Sequence, residues 1–299
     1  MDTNPPDSDS KWFKFFEEMQ LADGFADIFK QPSGLSPEAE NIPNLPGGRD
    51  YYVKLAEGKD PEWVKVYVHG DYGFVIDGRP VFTEYSDQIH CREVVSVAGV
   101  PIYRGWDFGL TPACTFSQMT PKGQFIVIDE LCADDMGIDR FSDEVLEHSG
   151  KYYSDEEFID IGDPAGAGRA QTDEKTCFDI MRAKGFEIEP GLQTLAIRLE
   201  SVRKPLSILR NGQPGFLLHP RCKKLRKGFL GGYNYRRMQT RKERFADQPD
   251  KNEYSHPMDA LQYVATRIFG EGLRTPKLRP SDDSDEFFVD TSRSDVTGY

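Results

Sequence analysis

Cysteine is scarce in this chain. The five that occur in 299 residues (Cys91, Cys114, Cys132, Cys177 and Cys222) are scattered, odd in number and without a C-x-x-C pair. That excludes a disulfide framework and a cysteine-rich zinc site, and it predicts reduced thiols. His219 and Cys222 make a single H-x-x-C with no second pair at ligand spacing, and they read as structural. No run of about 18 apolar residues exists, so no membrane-spanning helix is expected. The opening MDTNPPDSDSKWFKFF has no basic region followed by an apolar core, so a secretory leader is not expected either. Internal repeats are missing too. Positive charge is in deficit, with 37 Lys and Arg against 50 Asp and Glu and a net charge of −13. As a total, that argues against a nucleic-acid partner.

The distribution of charge reverses that inference. Residues 201–244 hold 13 Lys and Arg against one acid, Glu243, so this segment carries +12 and the remainder −25. A hydrophobic content of 38% with 12% aromatics supports a folded chain with a substantial core. Within the basic segment, RCKKLRKGFLGGYNYRRMQTRKERF interleaves cations with Phe229, Tyr233, Tyr235 and Phe245. Such density attracts phosphates in a salt-sensitive, sequence-tolerant way. The aromatics either pack beneath the cations as part of a core hairpin or contact a splayed strand. Lys223, Lys224, Arg226, Lys227, Arg236 and Arg237 are the candidate backbone contacts, with Gly231 and Gly232 as a hinge.

Three regions follow from the local pattern. Residues 1–50 are rich in Pro, Asp, Ser and Asn, with one amphipathic stretch, KWFKFFEEMQ, and read as a connector. Residues 51–270 are patterned for a fold. DYYVKLAEG and PEWVKVYVHG are short helices, and GFVIDGRPVF is a hairpin signal around Asp77–Gly78. PIYRGWDFG, ACTFSQM and GQFIVIDEL are three strands whose short connections favour antiparallel neighbours. A helix around 138–149, the strand EFIDIGD, the helix KTCFDIMRAKG and the strand FEIEPG come next. They are followed by a helix, LAIRLESVRKPLSIL, bent at Pro205, and the strand GFLLHP. The helix HPMDALQYVATRIF closes the series, with Met258, Leu261, Val264, Ala265, Ile268 and Phe269 on one stripe. The expected class is α/β: a mixed sheet of three antiparallel strands followed by parallel ones, with helices on both faces. Residues 271–299 form an acidic tail expected to be disordered, with Phe287 and Phe288 as a docking anchor.

Three aspartates stand where chain-distant side chains converge. Asp107 ends the first long strand, Asp163 ends the fourth, and Asp259 lies in the first turn of the last helix. A turn or a cap accounts for each singly, and Asp259 also suits the helix dipole. Gathered together they need cations, for which Mg²⁺ or Mn²⁺ with hard oxygen ligands is the usual solution. Glu130, ending the third strand, is a weaker fourth candidate.

The pieces GWDFGLTPA, GDPAG and HPMDALQYVA, the last preceded by PDKNEY, are similar to the C-terminal nuclease domain of the tailed-phage terminase large subunit, a member of the RNase H-like fold. The similarity covers about residues 50–270, and H-x-x-D-A-L-x-Y is its most specific part. The resemblance implies an endodeoxyribonuclease that cuts concatemeric double-stranded DNA with two divalent cations held by Asp107, Asp163 and Asp259. The resemblance matches His256 to a family histidine near the site, whose role is to orient water or a ligand or, as the alternative, to cap the helix N-terminus. It also implies a packaging setting in the cytoplasm of an infected bacterial host, with a portal, a small terminase subunit or a separate ATPase motor as partners. The family's motor carries a phosphate-binding loop, but no G-x-x-x-x-G-K-[ST] occurs here. TNPPDSDSKWF nevertheless resembles the end of that motor, so residues 1–50 are expected to be a motor remnant and linker. Two rivals remain open. DFGLT and GDPAGAG also resemble phosphate loops of an actin- or sugar-kinase-like phosphotransferase. A non-catalytic packaging or assembly subunit would need no metal.

Overall fold

A computed structural model describes Phe15 and residues 29–59, 61–72, 78–168, 175–238 and 244–270. The N-terminal amphipathic stretch, apart from Phe15, and the acidic tail therefore lie outside the described residues. Two short helices, α1 (Asp50–Ala56) and α2 (Pro61–Tyr67), form where apolar spacing predicts them. They are followed by β1 (Gly78–Pro80) and the one-turn helix α3 (Asp87–His90). The central series is β2 (Ile102–Asp107), β3 (Ala113–Met119), β4 (Phe125–Cys132), α4 (Ile138–Tyr152) and β5 (Phe158–Gly162). Then come α5 (Cys177–Ala183), β6 (Ile188–Pro190) and α6 (Leu195–Leu206). The small strands β7 (Leu209–Arg210) and β8 (Gln213–Pro214) lead into β9 (Phe216–Leu218). The chain continues through α7 (Lys223–Lys227), β10 (Asn234–Met238), β11 (Arg244–Phe245) and α8 (Ser255–Phe269).

Six strands make the main sheet in the order β6-β5-β2-β3-β4-β9. The short turns after β2 and β3 bring those strands back antiparallel, whereas the helical crossovers place β5 beside β2, β6 beside β5, and β9 beside β4, all parallel. This is a mixed sheet of the kind expected, three antiparallel strands extended by parallel ones. The hairpin expected at Asp77–Gly78 falls partly on residues 73–77, outside the described ones. Its described arm, β1, pairs antiparallel with β10, which in turn pairs with β11.

Alternation along the strands sorts side chains between two cores. Ile102 and Trp106 of β2, with Cys114 and Phe116 of β3, face α4 and α5 and pack with Phe141, Val145, Phe178 and Met181. The opposite face holds Phe125, Val127, Ile161 and Phe216 against Leu199 and Val202 of α6 and Met258, Leu261 and Val264 of α8. The first core is cemented by a buried ion pair. Arg104 donates from Nε and Nη2 to Asp160 at 2.8 and 2.7 Å, and Trp106 Nε1 donates to Asp160 at 2.7 Å. Asp107 and Gly105 share the other parity, so both face α8.

Candidate metal centre at the rim of the sheet

Gly105 sets how closely the last helix approaches. A Cβ there would collide with the carbonyl oxygen of Ala260 and lie 2.8 Å from Val264 Cγ2. Because α8 sits directly on this glycine, its first turn overhangs the end of β2, where Asp107 ends the strand. Asp163 arrives by a different route. It follows β5, the parallel neighbour of β2, and its backbone N–H donates to the Trp106 carbonyl at 3.0 Å. Three aspartates far apart in the chain are thereby drawn to one rim. The packing accounts for each approach, and the Asp259 and Asp163 charges both act on Asp107. Burial pushes the Asp107 carboxyl above its ordinary pKa, with the Asp259 and Asp163 charges acting in the same direction, while the hydrogen bond to His256 opposes them.

His256 lies in the first turn of α8 and spans the gap between helix and strand. Nδ1 is 2.8 Å from Asp107 Oδ2 and Nε2 is 3.0 Å from Thr111 Oγ1. With Asp107 ionised, Nδ1–H donates to the carboxylate, and the Thr111 hydroxyl, which can donate or accept, satisfies Nε2. Asp163 partly fulfils the bland expectation. Its Oδ1 accepts from the Ala165 N–H at 2.9 Å and caps the 3₁₀ turn Pro164–Ala167.

Asp259 is engaged differently. It is 2% exposed, and both of its oxygens are taken by cations: Oδ1 by Arg198 of α6 and Oδ2 by Lys251 in the stretch before α8. Arg198 is itself held 4.4 Å from the Tyr263 ring centroid. Neither cation stands out in the sequence, because Arg198 sits in an ordinary helix 61 residues away and Lys251 is one lysine among many. In the geometry of this structure, no group of three or more His, Cys, Asp or Glu side chains among the described residues is disposed to hold a metal ion.

Glu130 reaches the same face of the sheet through a β-bulge. The β3–β4 register shifts between Phe116 and Ser117, so Glu130 pairs opposite Thr115 and points to the α8 side. There it accepts from the backbone N–H groups of Lys224 and Leu225 at 2.6 and 2.9 Å. It is the cap of α7, not a member of the acidic rim. Burial pushes its carboxyl up to about 7 in spite of those two donors.

The six candidate DNA contacts divide between two elements. Lys223, Lys224, Arg226 and Lys227 lie on α7, and Arg236 and Arg237 on β10. Some of them also carry structural ion pairs. Arg226 grips Asp87 through Nε at 2.8 Å and Nη2 at 2.5 Å, Lys224 Nζ lies 3.8 Å from Asp134, and Arg236 is 3.0 Å from Asp250. The interleaved aromatics take the first of their two expected roles. Phe229, Tyr233 and Tyr235 are buried in the core, with Phe245 packed against it, and none is offered to a splayed strand.

The glycine-rich turn GDPAGAG has a packing explanation. A Cβ on Gly162 would lie 2.8 Å from Phe108 Cζ, and one on Gly166 would lie 2.5 Å from Phe108 Cδ2. These glycines admit the Phe108 ring, which weakens the phosphate-cradle reading.

No family model matches this chain, and no curated protein matches it in sequence. Similar solved structures include the large terminase of a thermophilic bacteriophage, 14% identical over 73% of this chain and 52% of that one, with a TM-score of 0.49. The nuclease domain of the P22 large terminase is 12% identical over 66% of this chain and 97% of that one, with a TM-score of 0.48. The nuclease domain of the g2p large terminase from bacteriophage SPP1, with bound Mn, is 18% identical over 65% and 99%, with a TM-score of 0.40. This chain spans about half the length of the first of these large terminases. Its structural neighbours are thus large terminases and large-terminase nuclease domains from several phages.

Proposed function

We propose that residues from about 50 to 270 form a metal-dependent endodeoxyribonuclease of a phage DNA-packaging terminase, with double-stranded DNA as substrate. The observation that carries this reading is the convergence of Asp107, Asp163 and Asp259 at one rim, with Asp107 buried in the field of the other two. A site built to place a carboxylate there works against stability unless a cation compensates it.

The donor chemistry fits a hard divalent cation on the Asp107–Asp163 side. Asp107 Oδ1 and Asp163 Oδ2 have no hydrogen bond or ion pair among the described residues, and both are oxygen donors of the kind Mg²⁺ and Mn²⁺ prefer. Asp259 would hold a second ion, once its own cations give way. Bound in such a site, two divalent cations supply an activated water and stabilise the leaving oxygen of a phosphodiester. His256 fixes the orientation of the Asp107 carboxylate, and Thr111 fixes His256. Lys223, Lys227 and Arg237, with Lys224, Arg226 and Arg236, would hold the DNA backbone without reading bases. No described helix is long and apolar enough to cross a membrane, and we place the activity in the cytoplasm of an infected host. A portal, a small terminase subunit or a separate ATPase motor are the partners we propose for this role.

The test is cleavage of supercoiled plasmid with Mg²⁺, Mn²⁺ or EDTA by the wild-type chain and by Asp107→Ala. Metal-dependent nicking and linearisation that vanish in the variant are expected. Equal products from both proteins would remove Asp107 from the chemistry. DNA binding without cleavage under either metal would favour a non-catalytic assembly role.

A further inference from the structure

Resting on the nuclease reading, we propose that Lys251 is a built-in counter-cation that closes the Asp259 side of the centre, so that a second divalent ion enters only by displacing it. The three aspartates are not equivalent in this structure. Asp107 and Asp163 each use one oxygen on neutral partners or on histidine, whereas Asp259 faces two full positive charges, one on each oxygen. An incoming divalent cation meets an already neutralised carboxylate flanked by like charge, which opposes its binding at short range.

The two cations differ in how easily they can leave. The Arg198 side chain is 9% exposed, rises from the packed helix α6 and is braced by the Tyr263 ring. It acts as a permanent neighbour. The Lys251 side chain is 74% exposed and comes from the irregular stretch between β11 and α8, so water can take over its ammonium at little cost. Its backbone position is nevertheless defined by its neighbours. The Asp250 N–H donates to the Asn234 carbonyl at 2.8 Å, and Asn252 Nδ2 donates to the Gly232 carbonyl at 2.8 Å. The lysine is therefore aimed at Asp259 by contacts with the basic strand β10 and the glycine turn before it, not by the carboxylate alone. A lysine held this way is a plug, present at rest and removable.

Mn²⁺ binding to the full chain, followed by electron paramagnetic resonance and titration calorimetry, tests this in wild type, Lys251→Ala and Lys251→Arg. Thermal unfolding of each protein checks the fold, and Lys251→Gln substitutes if the alanine variant does not fold. The wild type is expected to bind one Mn²⁺ per chain, with a second only at about tenfold or higher concentration. Lys251→Ala is expected to bind two at comparable concentration, with the spectrum of a coupled Mn²⁺ pair, while Lys251→Arg behaves as wild type. Identical stoichiometry and affinity in wild type and Lys251→Ala would overturn the proposal and leave the nuclease reading standing. Weaker binding in Lys251→Ala would also overturn it, since the lysine would then support the site. No Mn²⁺ bound by any of the proteins would overturn the metal centre itself.

Discussion

Gly105→Ala is the smallest change that separates the acidic rim from the helix completing it. The added methyl would strike the Ala260 carbonyl and approach Val264 Cγ2 to 2.8 Å, inside the 3.0 Å that real Cβ atoms respect. The obstacle is backbone of a buried helix, so no flexible side chain can swing aside. Either α8 retreats from β2 by on the order of 1 Å, or the strand bends away. Overpacking of this kind costs typically about 1–3 kcal/mol. The consequence for the site is larger than for stability, because His256 rides on the first turn of α8 and Asp259, the fifth residue of the helix and so one turn later than the sequence suggests, follows directly behind it. The 2.8 Å contact between His256 Nδ1 and Asp107 Oδ2 would lengthen past hydrogen-bonding distance. A misplacement of about 1 Å commonly costs on the order of 10²-fold in rate. Thermal unfolding, Mn²⁺ binding and plasmid cleavage should be measured together on purified Gly105→Ala. The expected outcome is a folded protein with a modestly lowered Tm and a disproportionate loss of metal binding and cleavage. Unchanged Tm with unchanged metal binding would show that α8 does not gauge the site through this glycine.

Two further predictions concern buried carboxylates elsewhere. Asp160→Ala strands the Arg104 guanidinium, 4% exposed, between Phe158 and Phe186, and should destabilise the fold by about 3–5 kcal/mol; denaturant unfolding that shows under about 1 kcal/mol would mean Arg104 finds another partner or water. For Glu130, a pKa raised from 4.5 to about 7 means that the folded chain binds this proton more tightly than the unfolded chain. Its contribution is fully present below pH 4.5 and is lost as pH rises through 7, a change of about 1–3 kcal/mol. Glu130→Gln should flatten the fall in Tm over that window, and an unchanged pH slope would show that another group titrates there.

Much of the architecture could be read locally. Alternation in IYRGWD, ACTFSQM and FIVIDEL located three strands, and the stripe from Met258 to Phe269 located the helix that covers them. Parity along β2 already put Asp107 on the face of Gly105, and the parallel partnership of β5 carried Asp163 to the same rim. The bulge in β4 was not visible in the sequence, because one extra residue leaves the hydrophobic pattern of FIVIDEL intact. Yet it turns Glu130 across the sheet and into the role of a cap. The same holds for the aromatics of the basic segment, whose sequence allowed either an inward or an outward orientation until β10 paired with β1.

By itself, then, the sequence determined the repeating elements and the places where carboxylates end them. Periods of 2 and 3.6 residues are properties of the backbone that each short segment expresses alone. The tertiary structure decided which charges meet. Lys251 is eight residues from Asp259, Arg198 is 61, and neither separation favours an ion pair until α6 and α8 pack side by side and the loop before α8 is tied to β10. An ion pair is a short-range contact between side chains that no local pattern brings together, so only the folded chain could choose the partners of Asp259.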